Sequence, residues 1–232
     1  MDDLSLNYNE ILNNIASAQK FSPYKQNVQL IAVSKTFTCQ DITTLYNLGQ
    51  RNFAENYALE FYNKAHELKS LDIEWHYIGT LQTNKIKYIA PYTSWIHSVE
   101  KASQILAISK YRTTNTTKLN ILIQIKINNA PNQHGMDINN VQNILALIQL
   151  INTQINLVFR GFMGIASIIS DNNILIQQFE SLRKLADAVK SSKVKNVDTL
   201  SMGMSHDYKT AIMCGATQVR IGSKIFGTRT YR

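Results

Sequence analysis

Apolar residues along this chain fall into two alternating patterns. Short runs rich in Val, Ile and aromatic residues have the form of strands, and longer stretches with apolar positions every three or four residues have the form of helices. Eight runs read as strands: VQLIAVS (28–34), RNFAE (51–55), EWHYIG (74–79), SWIHSV (94–99), LNILIQIKI (119–127), INLVFRGFMGI (155–165), VDTLSMG (197–203) and TQVRIG (217–222). The gaps between them hold seven helical segments, near 39–49, 56–70, 83–91, 100–112, 138–150, 172–191 and 207–214. An extra amphipathic helix at about 3–20 precedes the first strand, with Leu4, Tyr8, Ile11, Leu12 and Ile15 on one stripe.

Parallel strands need a crossover and a helix is the usual one, so this alternation predicts an α/β protein built as a single closed (β/α)8 barrel, the TIM barrel. An open doubly wound sheet that binds a dinucleotide would carry GxGxxG after its first strand, whereas VSKTFT stands there. No linker interrupts the pattern, so residues 1–232 read as one domain. That length can bury a core without disulfides or metals. It is short for a barrel, and the loops must be brief.

Composition narrows the class. With 44% hydrophobic and 17% charged residues, 9 Gly and 3 Pro, the chain is neither collagen-like nor disordered. Its longest apolar stretches fall well short of the roughly 20 residues of a membrane span, so no membrane partner is expected. The start, MDDLSLNYNEILNNIA, has acids where a secretory signal has bases, and the cytoplasm is the expected location. Cys39 and Cys214 match neither a disulfide framework nor a CxxC motif. Lys and Arg number 24 against 16 Asp and Glu, a net charge of +8. The charges are scattered, which favours anionic ligands without forming a nucleic-acid patch.

In a barrel of this type the reacting groups come from the C-terminal strand ends. Strand one ends in Ser34-Lys35-Thr36, strand two leads into Asn56, strand three carries His76, and strand four ends at His97-Ser98. Strand six brings Gly161-Phe162-Met163, strand seven Ser201-Met202-Gly203-Met204-Ser205, and strand eight Arg220-Ile221-Gly222-Ser223. Lys35 follows LIAVS, so its amine belongs over the mouth, either as a desolvated nucleophile towards aldehydes or as a lysine snorkelling to water. The Gly- and Ser-containing turns after strands seven and eight are the usual phosphate site of the architecture, though one such turn alone carries little weight. Arg220 alternates to the opposite face from Val219 and Ile221, which makes it an inward cation or half of a structural ion pair. A lysine, a phosphate grip and a planar cation for a ring nitrogen together describe a pyridoxal phosphate site. The five histidines show no metal-ligand spacing, and no metal is expected. Met163, Met202 and Met204 suit a flat ring or simple gap-filling.

Several blocks resemble the pyridoxal phosphate homeostasis family (YggS/PROSC): AVSKT (32–36), FAENY (53–57), WHYIGTLQTNK (75–85), HSVE (97–100), GFMGI (161–165) and LSMGMSHDYKTAIMCGATQVRIGSKIFGTRTY (200–231). The resemblance implies a barrel of the alanine racemase N-terminal type (fold type III) that carries pyridoxal 5'-phosphate as a Schiff base on Lys35. It implies Arg220 at the pyridine nitrogen, Ser201, Gly222 and Ser223 at the phosphate, and Asn56 and Met163 beside the ring. Ser205 and His76 complete the expected cofactor-contacting set, with no catalytic residues. The implied function is to buffer or deliver the cofactor, as a monomer and with PLP-dependent apoenzymes as recipients. A racemase-like amino-acid enzyme is the alternative, and a Schiff-base aldolase a weaker one. The sequence departs from the family at Ala54, Leu59 and GFMGIA, and Gln133 stands before His134-Gly135 where a lysine is usual, so contacts of that loop are not carried over.

Overall fold

The computed structural model describes residues 3–112, 117–128, 130, 133–169 and 171–227. Nine strands are present among them: β1 (Gln29–Val33), β2 (Asn52–Glu55), β3 (Glu74–Tyr77), β4 (Trp95–Val99), β5 (Leu119–Lys126), β6 (Met136–Asp137), β7 (Leu157–Gly164), β8 (Thr199–Ser201) and β9 (Gln218–Ile221). All pair in parallel, and the β4–β5 and β1–β9 ladders close eight of them into the barrel read from the sequence. The two-residue β6 adds to the β5 edge and was not legible as a strand. The helices are α1 (Asp3–Phe21), α2 (Cys39–Asn47), α3 (Ala58–Glu67), α4 (Ala102–Tyr111), α5 (Val141–Thr153), α6 (Asn172–Ser191), α7 (Tyr208–Met213) and α8 (Ser223–Phe226).

Strand alternation sorts side chains into two layers. Leu30, Ala32, Phe53, Trp75, Ile96, Ile121, Phe159, Val219 and Ile221 turn outwards and form one continuous core with the helices. The barrel interior is different, with two small apolar clusters, one of Ile31, Val33 and Ala54 and the other of Trp95, Leu122 and Met163, and a set of buried polar groups.

Three expectations change in detail. The segment 83–91 forms a 3-10 helix over Thr83–Tyr88. Its buried Ile86 and Ile89 are three apart, and that spacing aligns side chains on a three-residue turn. On α1 the buried stripe is narrower than read, because Tyr8, Ile11 and Ile15 are buried while Leu12 is exposed. This helix packs on α2, α7 and α8, with the Tyr8 hydroxyl donating to Gln50 Oε1 and Asn7 Nδ2 to the Ile225 carbonyl. The four-residue α8, placed directly after Gly222, is additional. The end of the family-like block, residues 228–231, lies outside the described residues.

Candidate functional site

Lys35 lies two residues beyond the end of β1, continuing the alternation of inward Ile31 and Val33. The Val33↔Ala54 pair puts Lys35 and Asn56 side by side, each two residues beyond it, at the mouth. Lys35 sits in a turn in which Phe37 N–H donates to the Ser34 carbonyl, and Thr36 has a φ of +70°. A β-branched residue at that angle is strained. Thr38 then starts α2 with a capping box, its hydroxyl accepting from Asp41 N–H while Asp41 accepts from Thr38 N–H.

Arg220 faces the interior and is 3% exposed. Its Nη1 donates to Ser201 Oγ at 2.7 Å and its Nη2 to the Gly164 carbonyl at 3.0 Å. A string of polar groups leads away from it: Ser201 Oγ to His97 Nδ1 at 2.9 Å, His97 Nε2 to His76 Nδ1 at 2.9 Å, and His76 Nε2 to Asn52 Oδ1 at 3.0 Å. The ends assign every proton. Asn52 Oδ1 accepts only, so His76 carries its proton on Nε2, and its bare Nδ1 accepts from His97 Nε2–H. The bare His97 Nδ1 accepts from the Ser201 hydroxyl, whose oxygen accepts from Arg220. That pattern needs both imidazoles neutral. Burial enforces it, pulling His76 down to about 3 and His97 well below the usual histidine range, the latter helped by His76 and Arg220. Burial also lowers the Arg220 guanidinium to about 10, which leaves it charged at neutral pH.

The two turns expected to grip an anion are neighbours, since Arg220 N–H donates to the Gly203 carbonyl. Gly203 has a φ of +93°, and a Cβ there would lie 2.6 Å from the Ala211 Cβ. At Gly222 a Cβ would stand 3.0 Å from the Val33 carbonyl oxygen, so the glycine lets the turn close against β1. Asp207, which sequence reasoning did not single out, shapes the first turn by accepting from Met204 N–H at 2.6 Å. Ser205 is buried in this turn, whereas Ser223 is exposed as the first residue of α8.

Beside these groups a cavity of about 530 Å³ opens at the mouth. It is lined by Asn56, Thr80, Gln124, Asn128, Gln133, His134 and Met204, with apolar Ile78, Ile165 and Ile168 among its walls. Lys35, Asn56, Ser205, Arg220, Gly222 and Ser223 thus belong to one end of the barrel. His76, Met163 and Ser201 are all buried. His76 is enclosed, with its nitrogens on His97 and Asn52 and its ring stacked on Trp95. Met163 is 1% exposed within the cluster around Trp95 and Leu122, and Ser201 spends its hydroxyl on His97 and Arg220. Their residue types were legible, but not these partners. Among the described residues no group of three metal-ligating side chains is present, and no helix is long and apolar enough to cross a membrane.

The arrangement suits a phosphorylated pyridine aldehyde, with an amine at the mouth, an interior cation fixed on two sides, and two glycine turns that leave room for an anion. Comparison with known proteins agrees. The family profile described as "Alanine racemase, N-terminal domain" matches residues 6–230. The pyridoxal phosphate homeostasis protein of Vibrio cholerae is 36% identical, covering 100% of this chain and 98% of the relative. PipY of Synechococcus elongatus, solved with PLP bound, is 30% identical with a TM-score of 0.79, covering 93% of this chain and 99% of that one. Alanine racemase of Clostridium difficile shares the fold at a TM-score of 0.73 and 14% identity, and this chain spans 58% of it. The chain belongs to the pyridoxal phosphate homeostasis proteins, within the alanine racemase N-terminal-domain family.

Proposed function

We propose that this protein binds pyridoxal 5'-phosphate through Lys35 and buffers or delivers it, with no strong catalysis of its own. The carrying observation is the convergence of Lys35, the interior cation Arg220 and the Gly203 and Gly222 turns at one barrel end. Bound there, the cofactor supplies an aldehyde that condenses reversibly with amines. Lys35 supplies the amine. Arg220, held by Ser201 and Gly164, presents a donor that keeps its own proton, so a ring nitrogen facing it stays an acceptor and the ring is a weak electron sink. Backbone N–H groups of the two turns, with Ser205 and Ser223, take the phosphate. Asn56 borders the ring side of the cavity.

The cavity wall supports a carrier role. Among the described residues lining it His134 is the one ionisable side chain, and the polar remainder is mostly amide. Exposed Tyr57, Leu59 and Ile168 surround this end and offer a surface to PLP-dependent apoenzymes, with the carrier acting as a cytoplasmic monomer. Titration with pyridoxal phosphate, borohydride reduction and peptide mass analysis test the reading. A visible band and a pyridoxyl mass on Lys35 are expected, both lost in Lys35→Ala, and a label on Lys85 or Lys209 would refute the assignment.

A further inference from the structure

On the outer face of the sheet, at the C-terminal ends of β1 and β2, lies a buried ion cluster. Ser34 and Glu55 alternate outwards from β1 and β2 and meet Lys64 of α3, and all three are buried. Lys64 Nζ donates to the Ser34 carbonyl at 2.8 Å and to Glu55 Oε1 and Glu60 Oε1 at 2.7 Å each, which uses its three protons. Glu60 Oε1 also accepts from Thr36 N–H at 2.5 Å, and the Ser34 hydroxyl donates to Glu55 Oε1 at 2.7 Å. The carbonyl before Lys35 and the N–H after it are therefore both tied to one ammonium–carboxylate pair. Thr36, whose N–H is held in this way, has a φ of +70° that a threonine does not adopt unaided. A buried pair of this kind is weak as a source of stability but strong as a geometric constraint.

We propose that Lys64, with Glu60 and Glu55, is the positioning residue for Lys35, holding the strained turn so that the amine enters the mouth in one direction. This rests on Lys35 being the attachment point. The cluster holds the backbone on either side of Lys35, at the Ser34 carbonyl and the Thr36 N–H, so its loss should impair attachment to the lysine while sparing recognition of the ring and phosphate.

Two probes separate these effects: pyridoxal phosphate, which can bond to the amine, and 4'-deoxypyridoxine phosphate, which has no aldehyde and cannot. The variants are Lys64→Met with Glu55→Gln, which leaves no unpaired buried charge, and Glu60→Ala at a partly exposed site. Both are checked for cooperative melting. Visible-band formation and borohydride labelling of Lys35 should slow at least tenfold in the double variant and about threefold in Glu60→Ala. Affinity for the deoxy analogue should stay within twofold of wild type. If the two probes weaken in parallel in the folded variants, the cluster is merely structural and the proposal fails. Wild-type rates in Glu60→Ala would overturn it as well, and so would failure of the double variant to fold with Glu60→Ala unchanged. A wild-type label on another lysine would instead remove the underlying reading, and the clamp with it.

Discussion

Two buried charges with opposite surroundings govern chemistry at the residue scale. Arg220 keeps its charge because Ser201 and Gly164 take its protons, and Asp207 lies close enough to oppose the loss caused by burial. Arg220→Gln removes the cation without adding an anion, and should still allow attachment at Lys35. Hydrogen bonds to charged groups contribute about 1.5 to 3 kcal/mol, so affinity should fall roughly ten- to a hundredfold and the pH titration of the visible band should move. Unchanged affinity and titration would show that this guanidinium faces away from the ring. Glu55 behaves differently. Burial pushes its carboxyl up to about 7, with Lys64 and Ser34 opposing and Glu60 adding to the rise, while Tyr77 and Cys39 are the other titratable groups that feel it. The native state thus holds this proton more tightly than the unfolded chain. The resulting stabilisation is complete below the ordinary carboxyl value near 4.5 and disappears as pH rises through about 7. Glu55→Gln cannot titrate, so its melting temperature should fall less than that of wild type between pH 5 and 8, and equal slopes would place Glu55 outside this window.

Turns, rather than strands, set specificity at the element scale. The loop from β8 to α7 is closed by Asp207 on Met204 N–H and by a left-handed Gly203 packed on Ala211. A methyl group at Gly203 meets both the φ penalty and the 2.6 Å contact, so Gly203→Ala should cost about 1 to 3 kcal/mol in stability and displace the turn. Binding of pyridoxal phosphate should weaken while pyridoxal, which lacks the anion, is little affected. Parallel losses for the two ligands in calorimetric titrations would place the phosphate elsewhere. Element type was legible where the apolar repeat was long, as in α5 and α6. It shifted where a short segment could serve two periods, as at Ile86 and Ile89, and a two-residue strand such as β6 has no repeat to show.

At the scale of the whole molecule, the proposed carrier role makes a prediction about catalysis. The groups that would hold the cofactor come from β1, β2, β8 and β9 and their loops, while the amide-lined cavity shares Asn56 and Met204 with these loops and adds residues from the ends of β3, β5 and β7. Racemisation or transamination needs a base at the reacting carbon and an electron-withdrawing ring, and an Arg220 facing the ring nitrogen, as proposed, would work against the second. Turnover with common amino acids should therefore stay far below the ordinary enzymatic range of about 1 to 10³ per second. Rates inside that range, abolished in Lys35→Ala, would overturn the carrier reading.

Alternation and periodicity are local, so the sequence by itself determined the eight barrel strands, the inward direction of Arg220, and the Gly-Ser turns after β8 and β9. Only tertiary structure decided what meets across the sheet. Nothing in ALEFYNKAHE marks Lys64 as more than a helical residue, yet the packing of α3 carries it onto Ser34 and Glu55. His76, His97 and Ser201 lie 21 and 104 residues apart in turn, and barrel closure alone sets them in one file behind Arg220. Depth along a strand was equally hidden, because alternation tells which face a side chain takes but not its distance from the mouth. Met163 packs beside Trp95 and Leu122, while Asn56 reaches the cavity.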